Sequence, residues 1–486
     1  MSIILHDNVI KIGDNAFSSC SSLTNFSIPE KVTSIGALAF QGCHIESITI
    51  PESVTSVGEG AFQSAPNLKS VSFPNGVTVI KSAMFYGSKN LKNVKLGDSV
   101  RLIESNAFYE CSSLENISIP NSVQSIEEHA FSGCTSLHRV DISDLAAWWT
   151  LDIATTTANP LNNGAKLYVN GTELTHLTTP ADITTVDFAK FLGCSSITNV
   201  TISDNVTKIG NRAFYDCVNL KSITLPESLK SIEMGAFAYC ESLEHATIPN
   251  GVTTIGTEAF YRCTNLKSAT IPASVTSIGN RAFGYCSGEL IINNKMIETD
   301  GTSRLKWLEE NQLTKLTIGD NVTKIGNSAF RASYYLTSVT ISDGVTSIGA
   351  NAFSSCEKLS SVIIPASVTS IGESAFYSCK NLTSATISNG VTSIGVWAFH
   401  STGLTSVTIP ASVTSIGTAA FYYCNSLASV YCEATTPPTG GSSMFAVNES
   451  GPKIYVPASD DDSIINTYKA AEYWSTYASV MEEYQF

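Results

Sequence analysis

Thirteen cysteines, seven histidines and the aspartates Asp460, Asp461 and Asp462 are the residues of this 486-residue chain suited to metal ligation, redox or nucleophilic chemistry. Their spacing decides what they do. Twelve cysteines (Cys20, Cys43, Cys111, Cys134, Cys194, Cys217, Cys240, Cys263, Cys286, Cys356, Cys379 and Cys424) follow a Phe by three residues. Four further units of the same kind put Ala65, Ser88, Ser333 and Thr402 at that place. A ligand or a bridge partner is not exchanged for Ala, whereas a small buried side chain is. Reduced thiols packed as a ladder are expected, with bridges between adjacent coils as the alternative that strand spacing permits. Cys432 falls at an apolar strand position and reads as core. No C-x-x-C occurs, which argues against structural zinc. His6, His44, His129, His138, His176, His245 and His400 have no partner at ligand spacing. The three aspartates suit a helix start as well as calcium. No catalytic residue, metal ligand or cofactor site is therefore assigned. A glycan-cleaving enzyme would need two carboxylates facing one cleft, and no such pair stands out.

Two other sets of residues suit recognition. Ten residues after the Phe a polar strand position returns, occupied by Thr201, Thr224, Thr247, Thr270, Thr317 and Thr340, and by Thr386 and Thr408 in the same register. Outward Thr fits any pleated sheet; its functional reading is a broad hydrogen-bonding face for a protein or a glycan. Tyr215 and Tyr261 directly follow their Phe. Tyr anchors interfaces well, and here it can equally cover the turn of the next coil.

The elements that position these residues follow from the register of the Phe. It stands at 17, 40, 62, 85, 108 and 131, then at 191, 214, 237, 260 and 283, then at 330, 353, 376, 399 and 421. Most gaps are 23 residues; the two of 22 lose a residue just past the Cys place, which marks a permissive turn. A fixed period of this length with Leu, Val and Ile in register is the signature of a leucine-rich solenoid. In the unit after Cys20, Leu23 to Ile28 reads as a strand ended by Pro29, Val32 to Ile35 as a shorter extended piece, and G-x-x-A-F-x-x-C as a tight helical turn. One coil cannot bury its own apolar side; stacked coils share a core. The fold class expected is an α/β-type repeat solenoid, a curved strand-rich array of coils of about 23 residues with a C-terminal helical cap.

Interruptions set the expected organisation. Residues 1-142 form an N-terminal block of repeats and 143-173 an insertion, with "DLAAWWTLDI", packed on the solenoid as a bulge. Repeats continue over 174-432, with a divergent coil at 287-312 in which Trp307 takes a Phe place and "GELIINNKMIETDG" forms a hairpin turning at Asn293-Asn294. Residues 433-486 form the cap, a helix with Ile464, Tyr468, Ala471, Ala478 and Met481 at helical spacing. At the other end the register starts abruptly at Ile3 and Leu5, so upstream coils or a seated partner are expected there.

The consensus "IPxSVTSIGxxAFxxCxxLxSVT" resembles the BspA-like leucine-rich repeat family, over nearly the whole chain. The resemblance implies secreted or surface-attached proteins of gut and oral bacteria and some protist parasites, among them adhesins for host matrix proteins or other bacteria. It carries over no catalytic residue. Charged residues are 14% of the chain, below the roughly 25% of an average soluble protein, and the net charge is −14. With no basic block, nucleic acid is not an expected partner. No apolar run approaches the roughly 20 residues of a membrane span, so no membrane insertion is expected. Met1 to Asp7 shows no leader, and the chain reads as a piece lacking its first segment. The function expected is non-enzymatic recognition or adhesion at a bacterial cell surface or after secretion, with a protein or glycan on a host or bacterial surface as partner. The alternatives are a structural or receptor-binding part of a larger assembly, such as a phage particle, and, behind it, a glycan-active enzyme.

Overall fold

The computed structural model of the chain describes residues 2–298, 305–445 and 451–486. They divide into two compact units: Met1–Ser228 with Glu233–Leu243, and Leu229–Ile232 with Glu244–Phe486. Each is a solenoid of parallel β-coils.

One coil of the second unit shows the design. The strand Ser361–Ile364 turns Val362 and Ile364 inward and Ser361 and Ile363 outward, as period-two alternation dictates. Pro365 ends it, because it has no N–H for the ladder, and the Val368 N–H closes the corner on the Pro365 carbonyl at 3.1 Å. The two-residue strand Ser370–Ile371 follows, then Gly372 and the turn through Phe376 to Cys379. Val368, Ile371, Ala375, Phe376, Cys379 and Leu382 are all buried and fill the coil.

The next coil repeats this one in register. Ser361 pairs with Ser384, Ile363 with Thr386, and Ile364 with Ile387. In the second unit the long-side strands run in parallel from His245–Thr247 to Ser384–Ile387. A further parallel sheet holds Ser406–Ile409, Ser429–Cys432, Lys453–Pro457 and Met481–Tyr484. In the first unit, strands from Ser47–Thr49 to Lys166–Val169 form one such sheet, and His176–Thr178, Asn199–Thr201 and Ser222–Thr224 lie side by side in another. Inside, the Phe rings stack coil on coil: Phe353 on Phe376 at 5.4 Å, Phe376 on Phe399 at 5.1 Å. Trp307 stands in this column, its ring edge-on to Phe283 at 6.3 Å.

The expected helical turn is corrected. In the Phe353 coil the N–H groups of Ala352, Ser354 and Cys356 bond back three residues within the coil. Those of Asn351, Phe353 and Ser355 reach the Glu373, Ala375 and Tyr377 carbonyls of the next coil. This alternation excludes a helix, whose N–H groups would all point one way. It also requires left-handed backbone two residues before and two after the Phe, as at Asn351 (φ 56°) and Ser355 (φ 61°), Asn106 (φ 58°) and Glu110 (φ 55°), and Arg212 (φ 55°) and Asp216 (φ 61°).

Two interruptions differ from expectation. Residues 143–173 are not a bulge laid on the outside but supply a coil. Asp152–Ile153 pairs with Ser125–Ile126, the Thr157 carbonyl takes the bond from the Phe131 N–H, and Lys166–Val169 pairs with Arg139–Ile142. The helix Leu145–Thr150 projects from it and buries Trp148 and Trp149, the latter edge-on to Phe191 at 5.0 Å. Asn293-Asn294 is not a hairpin turn. Glu289–Ile292 is a parallel strand between Ser268–Ile271 and Lys315–Ile318, with Leu290 and Ile292 inward, and a 3₁₀ turn Lys295–Ile297 follows. The rest of that expected hairpin, from residue 299, lies outside the described residues.

At the C-terminal end a helix spans Ser463–Ala470 and a 3₁₀ segment Ser475–Val480, while Met481 opens a strand rather than continuing the helix. Buried Tyr468 and Trp474 donate to the Ala434 and Pro438 carbonyls, and Trp474 and Tyr477 pack on Phe445. Their rings close the core behind the last Phe of the column.

Candidate binding surface

The long-side strands place the candidate threonines. In Ser268–Ile271, Ala269 and Ile271 face the core, which leaves Ser268 and Thr270 outward. Parallel in-register pairing then lines the outward residues up. In the first unit Thr201 pairs with Thr224. In the second, Thr247 pairs with Thr270, Thr270 with Ile291, Ile291 with Thr317, and Thr317 with Thr340. Each unit therefore brings its own threonines together in one row on one sheet.

A distinction invisible in sequence separates these threonines from another set. Directly before the short strands, Thr346, Thr369, Thr392 and Thr414 each donate a side-chain hydrogen bond to the backbone carbonyl one coil back, at 2.9 to 3.1 Å. Those hydroxyls hold the stack together. On the candidate row, Thr317 donates to Glu289 Oε1 at 2.7 Å. The hydroxyls of Thr201, Thr224, Thr247, Thr270 and Thr340 take no protein partner among the described residues. They remain available to whatever meets the face.

The tyrosines lie elsewhere in the coil, on the turn. Tyr215 packs against Tyr239 at 5.1 Å with Arg212 over its ring at 5.7 Å. Burial is the first cause holding its phenol above the ordinary range. Tyr261 meets Tyr285 edge-on at 5.5 Å, and its hydroxyl donates to Glu310 Oε2 at 3.4 Å. Both rings cover a neighbouring coil, and they do not share the strand that carries the threonines.

The cysteines are also placed by packing. All thirteen are thiols, and twelve are buried. Cys217 Sγ donates to the Phe191 carbonyl at 3.1 Å and Cys379 Sγ to the Phe353 carbonyl at 3.2 Å, each one coil back. Ser88 does the same to Phe62 at 2.8 Å. The slot therefore requires small size, and Cys217, Cys379 and Ser88 add a donor that Ala65 does without. Burial pushes Cys134 and Cys286 up to about 12, so neither is a nucleophile at neutral pH. No group of three or more His, Cys, Asp or Glu among the described residues is arranged to hold a metal ion. No helix among them is long and apolar enough to cross a membrane.

A family model described as BspA type Leucine rich repeat region (6 copies) matches residues 1–115, 58–147, 164–289 and 306–428. No curated protein matches the chain. Among solved structures it is similar to a leucine-rich repeat protein from Bacteroides ovatus ATCC 8483, 24% identical, covering 86% of this chain and 92% of that one, with a TM-score of 0.47. It is also similar to a leucine rich cell surface protein from Faecalibacterium prausnitzii A2-165, 27% identical, covering 79% and 86%, with a TM-score of 0.35.

Proposed function

This chain belongs to the BspA-type leucine-rich repeat family, and from that premise we propose that it is a non-enzymatic recognition protein, secreted or held at a bacterial cell surface, that binds a protein or a glycan. The observation that carries the reading is the in-register row of outward threonines, of which Thr247, Thr270 and Thr340 have hydroxyls without a protein partner among the described residues. Such a row offers repeated donors and acceptors on a stiff scaffold, so little conformational entropy is lost on binding. The location rests on the family.

The test is binding of the purified chain to immobilised matrix proteins, glycans and gut bacterial cells, beside a variant carrying Thr247→Lys, Thr270→Lys and Thr340→Lys. Lys at these outward places leaves the core untouched but fills the face with like charge. Saturable binding that the variant loses by about tenfold or more supports the strand face, as expected when interface-centre contacts are removed. Equal binding by both chains removes the face from the proposal.

A further inference from the structure

The turns of the second unit carry a separate, built groove. Two side chains of each turn point away from the core, one placed two residues before the Phe and one placed directly after it. The row after the Phe runs Arg331, Ser354, Tyr377, His400. Tyr377 and His400 stack at 4.9 Å with their planes 22° apart, and His400 continues to Tyr422 at 5.5 Å. Ser354 breaks this column of large side chains. It is small and 4% exposed, and a groove of about 360 Å³ opens over it between Arg331 and Tyr377. That volume lies within the range of small-molecule sites.

The other row also lines the groove, with Asn351, Ser374 and Trp397. Trp397 holds φ 54°, as the turn requires at this place in the other coils, and it is 43% exposed. A large exposed aromatic on the lip of a polar groove offers a ligand a flat stacking face.

The lining defines the ligand's chemistry. Trp397, Tyr377 and His400 offer flat ring faces, Asn351, Ser355 and Ser374 offer hydrogen-bonding groups, and no carboxylate lines the groove. Arg331 supplies the full positive charge, in a chain of net charge −14. Burial lowers the His400 imidazole below its ordinary range, which keeps it neutral. A flat apolar face beside several hydroxyls and one carboxylate is the complement of these groups, because Arg matches a carboxylate with two parallel N–H donors. We propose that this groove binds a carboxylate-bearing saccharide, with a sugar ring against Trp397 and Tyr377 and the carboxylate at Arg331. The proposal rests on the recognition reading above and adds to it a second face and a ligand class.

The experiment is binding of the full chain to an array of acidic oligosaccharides, their neutral counterparts and acidic peptides. Trp397→Asn installs a residue type already present in that row and suited to its left-handed backbone, so the fold survives it. Ser354→Tyr completes the aromatic column and fills the groove. The expected result is saturable binding of acidic saccharides, weakened about tenfold or more in both variants at a thermal midpoint no lower than that of the parent chain, and loss of the acidic-over-neutral preference in Arg331→Gln. Retention of acidic peptides alone, or undiminished saccharide binding by Trp397→Asn, overturns the proposal. The Thr247→Lys, Thr270→Lys and Thr340→Lys variant separates the two readings. Saccharide binding lost there but kept in Trp397→Asn sinks the groove and leaves recognition by the strand face standing. Wild-type binding of a matrix protein without any saccharide does the same, and no binding to any partner sinks both.

Discussion

At the scale of single residues, the place three after the Phe shows how a polar contact hides inside an apolar pattern. Cys217 is fully buried and reads as a small hydrophobe, yet its Sγ donates to the Phe191 carbonyl, which also accepts from the Cys194 N–H. Because that carbonyl keeps one bond, loss of the thiol costs about 0.5–1.5 kcal/mol rather than the full penalty of an orphaned group. Cys217→Ser, the solution seen at Ser88, is expected to unfold close to the wild-type urea midpoint. Cys217→Val, which brings bulk without a donor, is expected to fall by about 1–3 kcal/mol. A midpoint for the Val variant equal to that of the Ser variant would show that neither size nor the donor governs the slot.

At the scale of the element, the turn is defined by backbone sign more than by side chain. Asn106 has φ 58°, and its N–H donates across to the Glu128 carbonyl of the next coil at 3.0 Å. Asn106→Gly keeps that conformation and should cost only a few tenths of a kcal/mol, whereas Asn106→Val puts a β-branched residue in the left-handed region and should cost about 1–3 kcal/mol. Equal denaturation midpoints for the two variants would refute this reading of the turn. The same element explains what was legible beforehand. The Phe column and the inward Leu, Val and Ile announced themselves because one residue type returns at one place, and the register even located Trp307 beside Phe283. Left-handed positions carry Asn106, Arg212, Glu258 and Trp397 indifferently, so no residue type signals them. The coil within 143–173 lacks a Phe, and the Thr157 carbonyl, standing where an Ala before the Phe stands in other coils, leaves no sequence mark. Asn293-Asn294 resembles a hairpin turn, but Leu290 and Ile292 bury themselves in a parallel strand. Ser354 looks like any other serine until Arg331 and Tyr377 stand on either side of it.

At the scale of the molecule, the stacked thiols couple stability to alkaline pH. An ordinary thiol ionises near 9.0, and burial pushes Cys43 up to about 11 and Cys134 and Cys286 to about 12. Cys111 and Cys217 are raised by the same burial and further by a neighbouring thiol, Cys134 for the first and Cys240 for the second. Below pH 9.0 these groups are protonated in both folded and unfolded chains, and their contribution is fully present. Above it the unfolded chain releases protons that the folded chain retains, so the balance moves toward unfolding. Each such thiol then removes about 1.4 kcal/mol per pH unit until its folded value is reached. Several act at once, because twelve coils contribute one each at the place three after the Phe and no coil can be opened without disturbing its neighbours. The urea midpoint is expected to be level from pH 6 to pH 8.5 and to fall steeply between pH 9.0 and about 11. Phenols titrate in the same window, so the thiol share is read from a variant. Cys134→Ser with Cys286→Ser removes two ionising groups while keeping a small donor in each slot, and its decline should be shallower by about 2.7 kcal/mol per pH unit. A decline as steep as that of the parent chain would mean that the buried thiols do not carry the alkaline instability.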